Sequence, residues 1–155
     1  MASPYNTLLD GVVTGIGNLS LLFNSVAIAV VKAKAPKARD GIDAALPAFY
    51  VVPGGRERRE PWFTNTAGGV SWRVTYPVVV ALIAAGNLDL VTNLDSYLDW
   101  RNQVLRAFEK PPIGALIGIV QIDLVSPDAV IEASLIPDGF DFSALRFDFI
   151  FLEDH

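Results

Sequence analysis

The run from Val70 to Ile83 constrains the whole chain. Trp72, Val74, Tyr76, Val78, Val80 and Leu82 fall at every second position, which predicts one apolar face of a long β-strand. On the other face Arg73 and Thr75 give way to Val79 and Ile83, so half of that face meets solvent and half is covered. Pro77 sits in the middle and has no N–H to offer a neighbour. The strand therefore lies at a sheet edge or is bulged at that point.

The flanking segments supply elements that can cover such a sheet. Pro4 opens a helix whose Tyr5, Leu8, Leu9, Val12, Val13 and Ile16 share one stripe, with Gly15 and Gly17 loosening or ending it. From Val26 to Lys34 the residues become β-branched and alternate, which predicts a first strand; a continuous helix from 5 to 33 is the competing reading. Leu46 to Pro53 reads as a short strand framed by prolines. The charged stretch from Gly54 to Gly69 reads as a long loop, and loops of that length are usually functional or mobile. A second helix over about 90–109 places Leu90, Leu94, Tyr97, Leu98, Val104, Leu105 and Phe108 on one stripe. Thr92 and Asp95 have capping-box spacing, and Pro111-Pro112 ends the helix. Beyond it Val120, Ile122 and Leu124 alternate with Gln121 and Asp123, and a last strand carries Leu145, Phe147, Phe149 and Phe151 on one face. The expected core anchors are Trp72, Tyr76, Phe147, Phe149 and Phe151. Helices and strands in blocks predict a single α+β domain over 1–155, with a mostly antiparallel sheet against an N-terminal helix and one central helix.

Composition removes several chemistries. The 155 residues include no cysteine, which excludes thiol catalysis, iron–sulfur clusters and cysteine zinc sites. The single histidine, His155, stands at the end of the sequence, where chains fray, so a histidine-centred metal site or a Ser/His/Asp triad is disfavoured. No cofactor is expected. The formal charge of −5 has the wrong sign for a dedicated nucleic-acid binder. Hydrophobic residues reach 52% with a mean hydropathy of +0.39, so either the core is unusually full or part of the surface is sticky. The uncharged run from Leu19 to Val31 has no basic residue before it and is broken by Ser20, Asn24 and Ser25, so it reads as core and not as a signal or membrane segment.

No motif carries catalysis. Gly15-Ile16-Gly17 begins like a dinucleotide fingerprint, but its sixth position is Ser20 and no strand precedes it. Asp138, Asp141, Asp148, Glu153 and Asp154 match no calcium-loop spacing. Arg101 interrupts the apolar stripe of the second helix, either snorkelling to solvent or pairing with an acid at a subunit contact. Charge is divided along the chain: residues 32–59 hold seven basic and three acidic residues, net +4, whereas 120–155 hold one basic and eight acidic, net −7. If these regions lie on opposite flanks, one subunit's basic side can meet its neighbour's acidic side, the contact that generates rings; pairing within the chain is the alternative.

The layout as a whole resembles a known family. An N-terminal helix, the strand Ala45-Leu46-Pro47-Ala48-Phe49-Tyr50-Val51-Val52-Pro53, a long loop, the strand Trp72-Arg73-Val74-Thr75-Tyr76-Pro77-Val78-Val79-Val80, the helix with Trp100-Arg101-Asn102-Gln103-Val104-Leu105-Arg106-Ala107-Phe108, and closing strands are similar to the tail terminator (tail completion) and neck proteins of long-tailed bacteriophages. The likeness spans nearly the whole chain and rests on element order and short signatures such as Leu-Pro-x-hydrophobic and Tyr-Pro-Val. It implies a structural virion protein without catalytic residues. The expected assembly is a homo-oligomeric ring, usually a hexamer, built in the host bacterial cytoplasm and seated at the tail and neck. Its partners would be the tail tube protein and a head-side connector, with DNA passing through the lumen unbound. On that resemblance Arg56, Arg58, Arg59 and Trp62 of the 54–69 segment, with Arg101, Asp138 and Asp141, are candidates for subunit or ring–ring contacts. Two other classes fit the residues: a carrier with an apolar pocket between helix and sheet, and a carboxylate enzyme using Asp138 and Asp141.

Overall fold

The computed structural model describes residues 3–23, 25–34, 47–64, 68–85, 94–109, 119–125 and 140–154. Among them are helices α1 (Pro4–Gly17) and α2 (Leu94–Ala107) and eight strands. The strands are β1 (Leu22–Phe23), β2 (Val26–Ala27), β3 (Ala29–Lys32), β4 (Ala48–Pro53), β5 (Arg58–Thr64), β6 (Val70–Ala85), β7 (Ile119–Val125) and β8 (Phe140–Asp154). The fold is α+β, with a sheet ordered β3-β4-β6-β8-β7 and β5 added to β6 beside β4. Every pairing in it is antiparallel except β3 with β4.

α1 begins with Pro4 in its first turn, where a missing N–H costs nothing, and ends at Gly17 in a turn that sets Ser20 at φ +50°. The continuous helix from 5 to 33 is thereby excluded, and the expected strand over 26–34 is present as β2 and β3, broken at Ile28. Leu8, Leu9, Val12 and Ile16 of α1 and Tyr97, Trp100, Val104 and Phe108 of α2 pack on one sheet face. They meet Phe49 and Val51 of β4, Val74 to Ala84 at alternate positions of β6, and Leu145, Phe147 and Phe149 of β8. Phe49 meets Trp100 edge-on at 4.7 Å, and Phe108 lies 5.0 Å from Phe147. The stripe expected on α2 is corrected at Leu98, which is exposed, and at Trp100, which takes a buried position. A smaller cluster of Ala48, Tyr50, Val52, Ala81 and Ile83 lies on the opposite face. Of the expected anchors Tyr76, Phe147 and Phe149 are buried, while Trp72 and Phe151 are partly buried against the same cluster.

The largest correction concerns residues 54–69, expected as a loop. Residues 58–64 form β5, and β4 and β5 both run antiparallel to β6, so together with it they make one long hairpin. Its widest break lies between β4 and β5, apart from a register shift between Pro61 and Phe63. Pro53 pairs with Val78 and Arg58 with Thr75, so four residues on one side oppose two on the other, at Tyr76-Pro77. That is the bulge Pro77 requires, although the strand bearing it lies inside the sheet and not at its edge. Gly54 donates its N–H to the Pro77 carbonyl at 2.8 Å, and a Cβ at Gly54 would stand 3.2 Å from the Pro77 carbonyl carbon. Gly55 follows at φ +154°, a conformation that side chains disfavour. The Tyr5 hydroxyl donates to the carbonyls of Gly55 and Pro77, pinning α1 to this junction.

The alternation expected at 120, 122 and 124 is also corrected. A register shift falls between Ile119 and Gln121, so Ile119 is buried opposite Phe151 and Val120 is displaced outward. Leu90, Thr92 and Pro111-Pro112 lie outside the described residues.

Candidate functional site

β5 is where the sequence concentrated basic and aromatic residues, and the fold presents it as a strand with all seven residues exposed. Its charges do not all face outward. Arg58 Nη2 donates to Asp148 Oδ2 at 2.8 Å, reaching across β6 to β8, and Arg59 lies 3.7 Å from Glu153. Glu153 also accepts from the Tyr76 hydroxyl at 2.7 Å. Burial, and next that carboxylate, raise the Tyr76 pKa above the ordinary value. Here Arg58 and Arg59 of the basic region are neighbours of Asp148 and Glu153 of the acidic region within one chain. The reason is topological, because β5 and the last part of β8 flank the same end of β6. Arg56 is exposed in the β4–β5 junction.

Beyond the charges the hairpin carries aromatic surface. Trp62 and Phe63 are 53% and 51% exposed, at the register shift between Pro61 and Phe63. The Arg73 guanidinium stacks over the Trp62 ring at 5.4 Å, which fixes the indole while leaving its other face open. Neither Phe63 nor Arg73 was singled out in the sequence. The signal was available in the Gly68-Gly69 turn, which makes 58–64 the strand folding back on 70–75.

The remaining candidates are scattered. Arg101 of α2 donates to the Ala144 carbonyl at 2.9 Å and lies 3.3 Å from the Ser143 hydroxyl, and burial lowers its pKa. Its guanidinium thus ties the helix to the start of β8. Asp141 is buried, and its charge, after burial, contributes to the raised pKa of Tyr97. Asp138 lies outside the described residues.

On the sheet face away from the helices Asp123 and Asp148 are directly opposite across β7 and β8, a like-charge arrangement that costs stability. Arg58 meets one oxygen of Asp148, the other is buried without a hydrogen-bond partner among the described residues, and Gln121 Nε2 donates to Asp123 Oδ1 at 2.6 Å. On the helix face Leu105, Phe108, Glu109, Ile122, Leu124 and Phe147 line an open groove of about 380 Å³ between α2 and β7. Among the described residues no group of three or more histidines, cysteines or carboxylates is placed to hold a metal ion, and no helix is long and apolar enough to cross a membrane.

The arrangement can bind by its surfaces: an arm of exposed strand with an indole stacked under Arg73, an apolar groove, and three edges of the main sheet, β3, β5 and β7, without a further strand among the described residues. No protein-family model matches the chain, and no curated protein matches it either.

Proposed function

We propose that this protein is a structural subunit of a tailed bacteriophage particle, forming a ring, usually of six copies, that ends the tail tube and joins it to the head. The observation that carries the reading is the β5–β6 arm. It is a fully exposed strand with Trp62 and Phe63 half in solvent, on a sheet whose other end is covered by two helices. Apolar aromatics on an exposed strand are costly to a lone subunit and serve as anchors between subunits. The element order on which the resemblance rests supports the same reading outside the 54–69 segment, where a strand replaces the expected loop. The proposed partners are further copies, the tail tube protein and a head-side connector, with DNA passing through the lumen; a net charge of −5 discourages DNA from sticking there.

Light scattering on the purified protein, followed by negative-stain imaging of the same peak, tests this. A ring near six times 16.8 kDa is expected. Changing Arg56, Arg58 and Arg59 together to Ser should free the arm from Asp148 and Glu153 and impair joining of tails to heads. A monomer that ignores tail tubes and heads would sink the reading.

The groove beside α2 favours one second reading, a carrier for a small apolar ligand. Native mass spectrometry separates the two: a monomer retaining such a ligand supports the carrier, and a ligand-free ring does not.

A further inference from the structure

We propose that β7 pairs with β7 of a second copy across a two-fold axis through Ile122, so that the sheet of one subunit continues into the other. Among the described residues the main sheet has three open edges, β3, β5 and β7, and they differ in kind. β3 is four residues long and ends in Lys32, a short and charged edge. β5 carries Pro61, a register shift at Trp62 and the charges of Arg58, Arg59 and Glu60, which are the usual defences of an edge that must stay single. β7 reads Ile-Val-Gln-Ile-Asp-Leu-Val, with no proline, no basic residue, one charge and a register shift confined to its start, between Ile119 and Gln121, and its Val120, Leu124 and Val125 are 50%, 43% and 42% exposed. Such a strand, without a further partner among the described residues, is a pairing site.

Its sequence is complementary to itself in one register. A two-fold axis normal to the sheet makes the strands antiparallel and keeps each residue on its own face. Centred on Ile122, it sets Gln121 opposite Asp123 of the second copy, and Asp123 opposite Gln121 of that copy, so both amides meet carboxylates. Moving the axis to residue 123 would set the two Asp123 side chains against each other, a like-charge pair with a cost. The amide from the second copy arrives where it is needed, since Asp123 already faces Asp148 across the ladder and has only the Gln121 of its own strand as a hydrogen-bond donor among the described residues. On the helix face the same axis brings the two grooves lined by Ile122 and Leu124 side by side, joining their apolar walls.

This contact is separate from the ring reading: it closes on two copies through one surface, whereas a ring uses two different surfaces head to tail. The chain has no cysteine, so a single introduced thiol reports without background. Residues directly opposite on an antiparallel pair have Cβ atoms about 4.5–5.5 Å apart, within small adjustment of disulfide geometry. Ile122→Cys should therefore form a covalent dimer under mild oxidation at least about tenfold faster than Leu152→Cys, an exposed position on the neighbouring strand. The untreated protein should have an even copy number by light scattering. Gln121→Glu, which sets carboxylate against carboxylate on both sides of the axis, should weaken association by about tenfold, and adding Asp123→Gln should restore it. Equal cross-linking at 122 and 152, an odd copy number or a monomer at high concentration would overturn the proposal. A six-membered ring that does not cross-link at 122 leaves the ring reading standing and removes this one; a cross-linked dimer that forms no ring does the reverse.

Discussion

Tyr97 is buried on α2, its hydroxyl has no hydrogen-bond partner among the described residues, and burial with the Asp141 charge raises its pKa above the ordinary tyrosine value. Tyr76 and Tyr5 are shifted the same way, also chiefly by burial. A phenol whose folded pKa exceeds its unfolded one keeps its proton in the native state after the unfolded chain has lost it. The stability it confers is thus complete below pH about 10 and falls as pH rises from there toward the folded value. The urea midpoint should therefore be flat between pH 7 and 9 and drop steeply above about pH 10. Tyr97→Phe removes an orphaned hydroxyl, so it should be neutral or mildly stabilising at pH 7, within about 1 kcal/mol, and should flatten the alkaline fall. An equally steep fall in that variant would show that Tyr97 does not contribute. Helical spacing marks its apolar position, but the missing hydroxyl partner depends on which groups other elements bring near it, which no local pattern encodes.

At the level of elements, the β4–β5 junction fixes how the hairpin is built. Gly54 approaches Pro77 so closely that Gly54→Ala sets a Cβ 3.2 Å from backbone atoms, which cannot swing aside as a flexible side chain can. The expected cost is about 1–3 kcal/mol, measured as a fall in the denaturation midpoint, whereas Gly17→Ala, in open space at the end of α1, should cost far less. Long alternating runs such as 70–83 and 145–151 were legible because both faces of each strand follow one period. β5 was not legible, because Arg58-Arg59-Glu60-Pro61 has the composition of a loop and its pairing with β6 is decided by the turn after it. The stripe of α2 was legible except at Leu98 and Trp100, where helical spacing admits either neighbour and the position of Phe49 decides. Val120 failed for a related reason: a bulge adds one residue and reverses the alternation before it.

At the scale of the molecule, a topology that runs β5 and β8 beside the same end of β6 brings charges far apart in sequence together, Arg58 to Asp148 and Arg59 to Glu153. Only the strand order could reveal this. Among the described residues the aromatic surface on the arm and the unpaired edge of β7 are open to other molecules. The bulge opposite Pro77 has one more consequence, in time and not in space. β6 passes through it as a single strand, yet Val78 to Ala84 lie under the helices while Val70 to Arg73 are flanked by the exposed β5. Amide protons along one continuous strand should thus exchange with solvent at two rates, slow toward Ala84 and fast toward Val70, with the change falling near Tyr76. Hydrogen exchange read by NMR would show that step in the free subunit, and an occupied arm would slow the fast half to match the other.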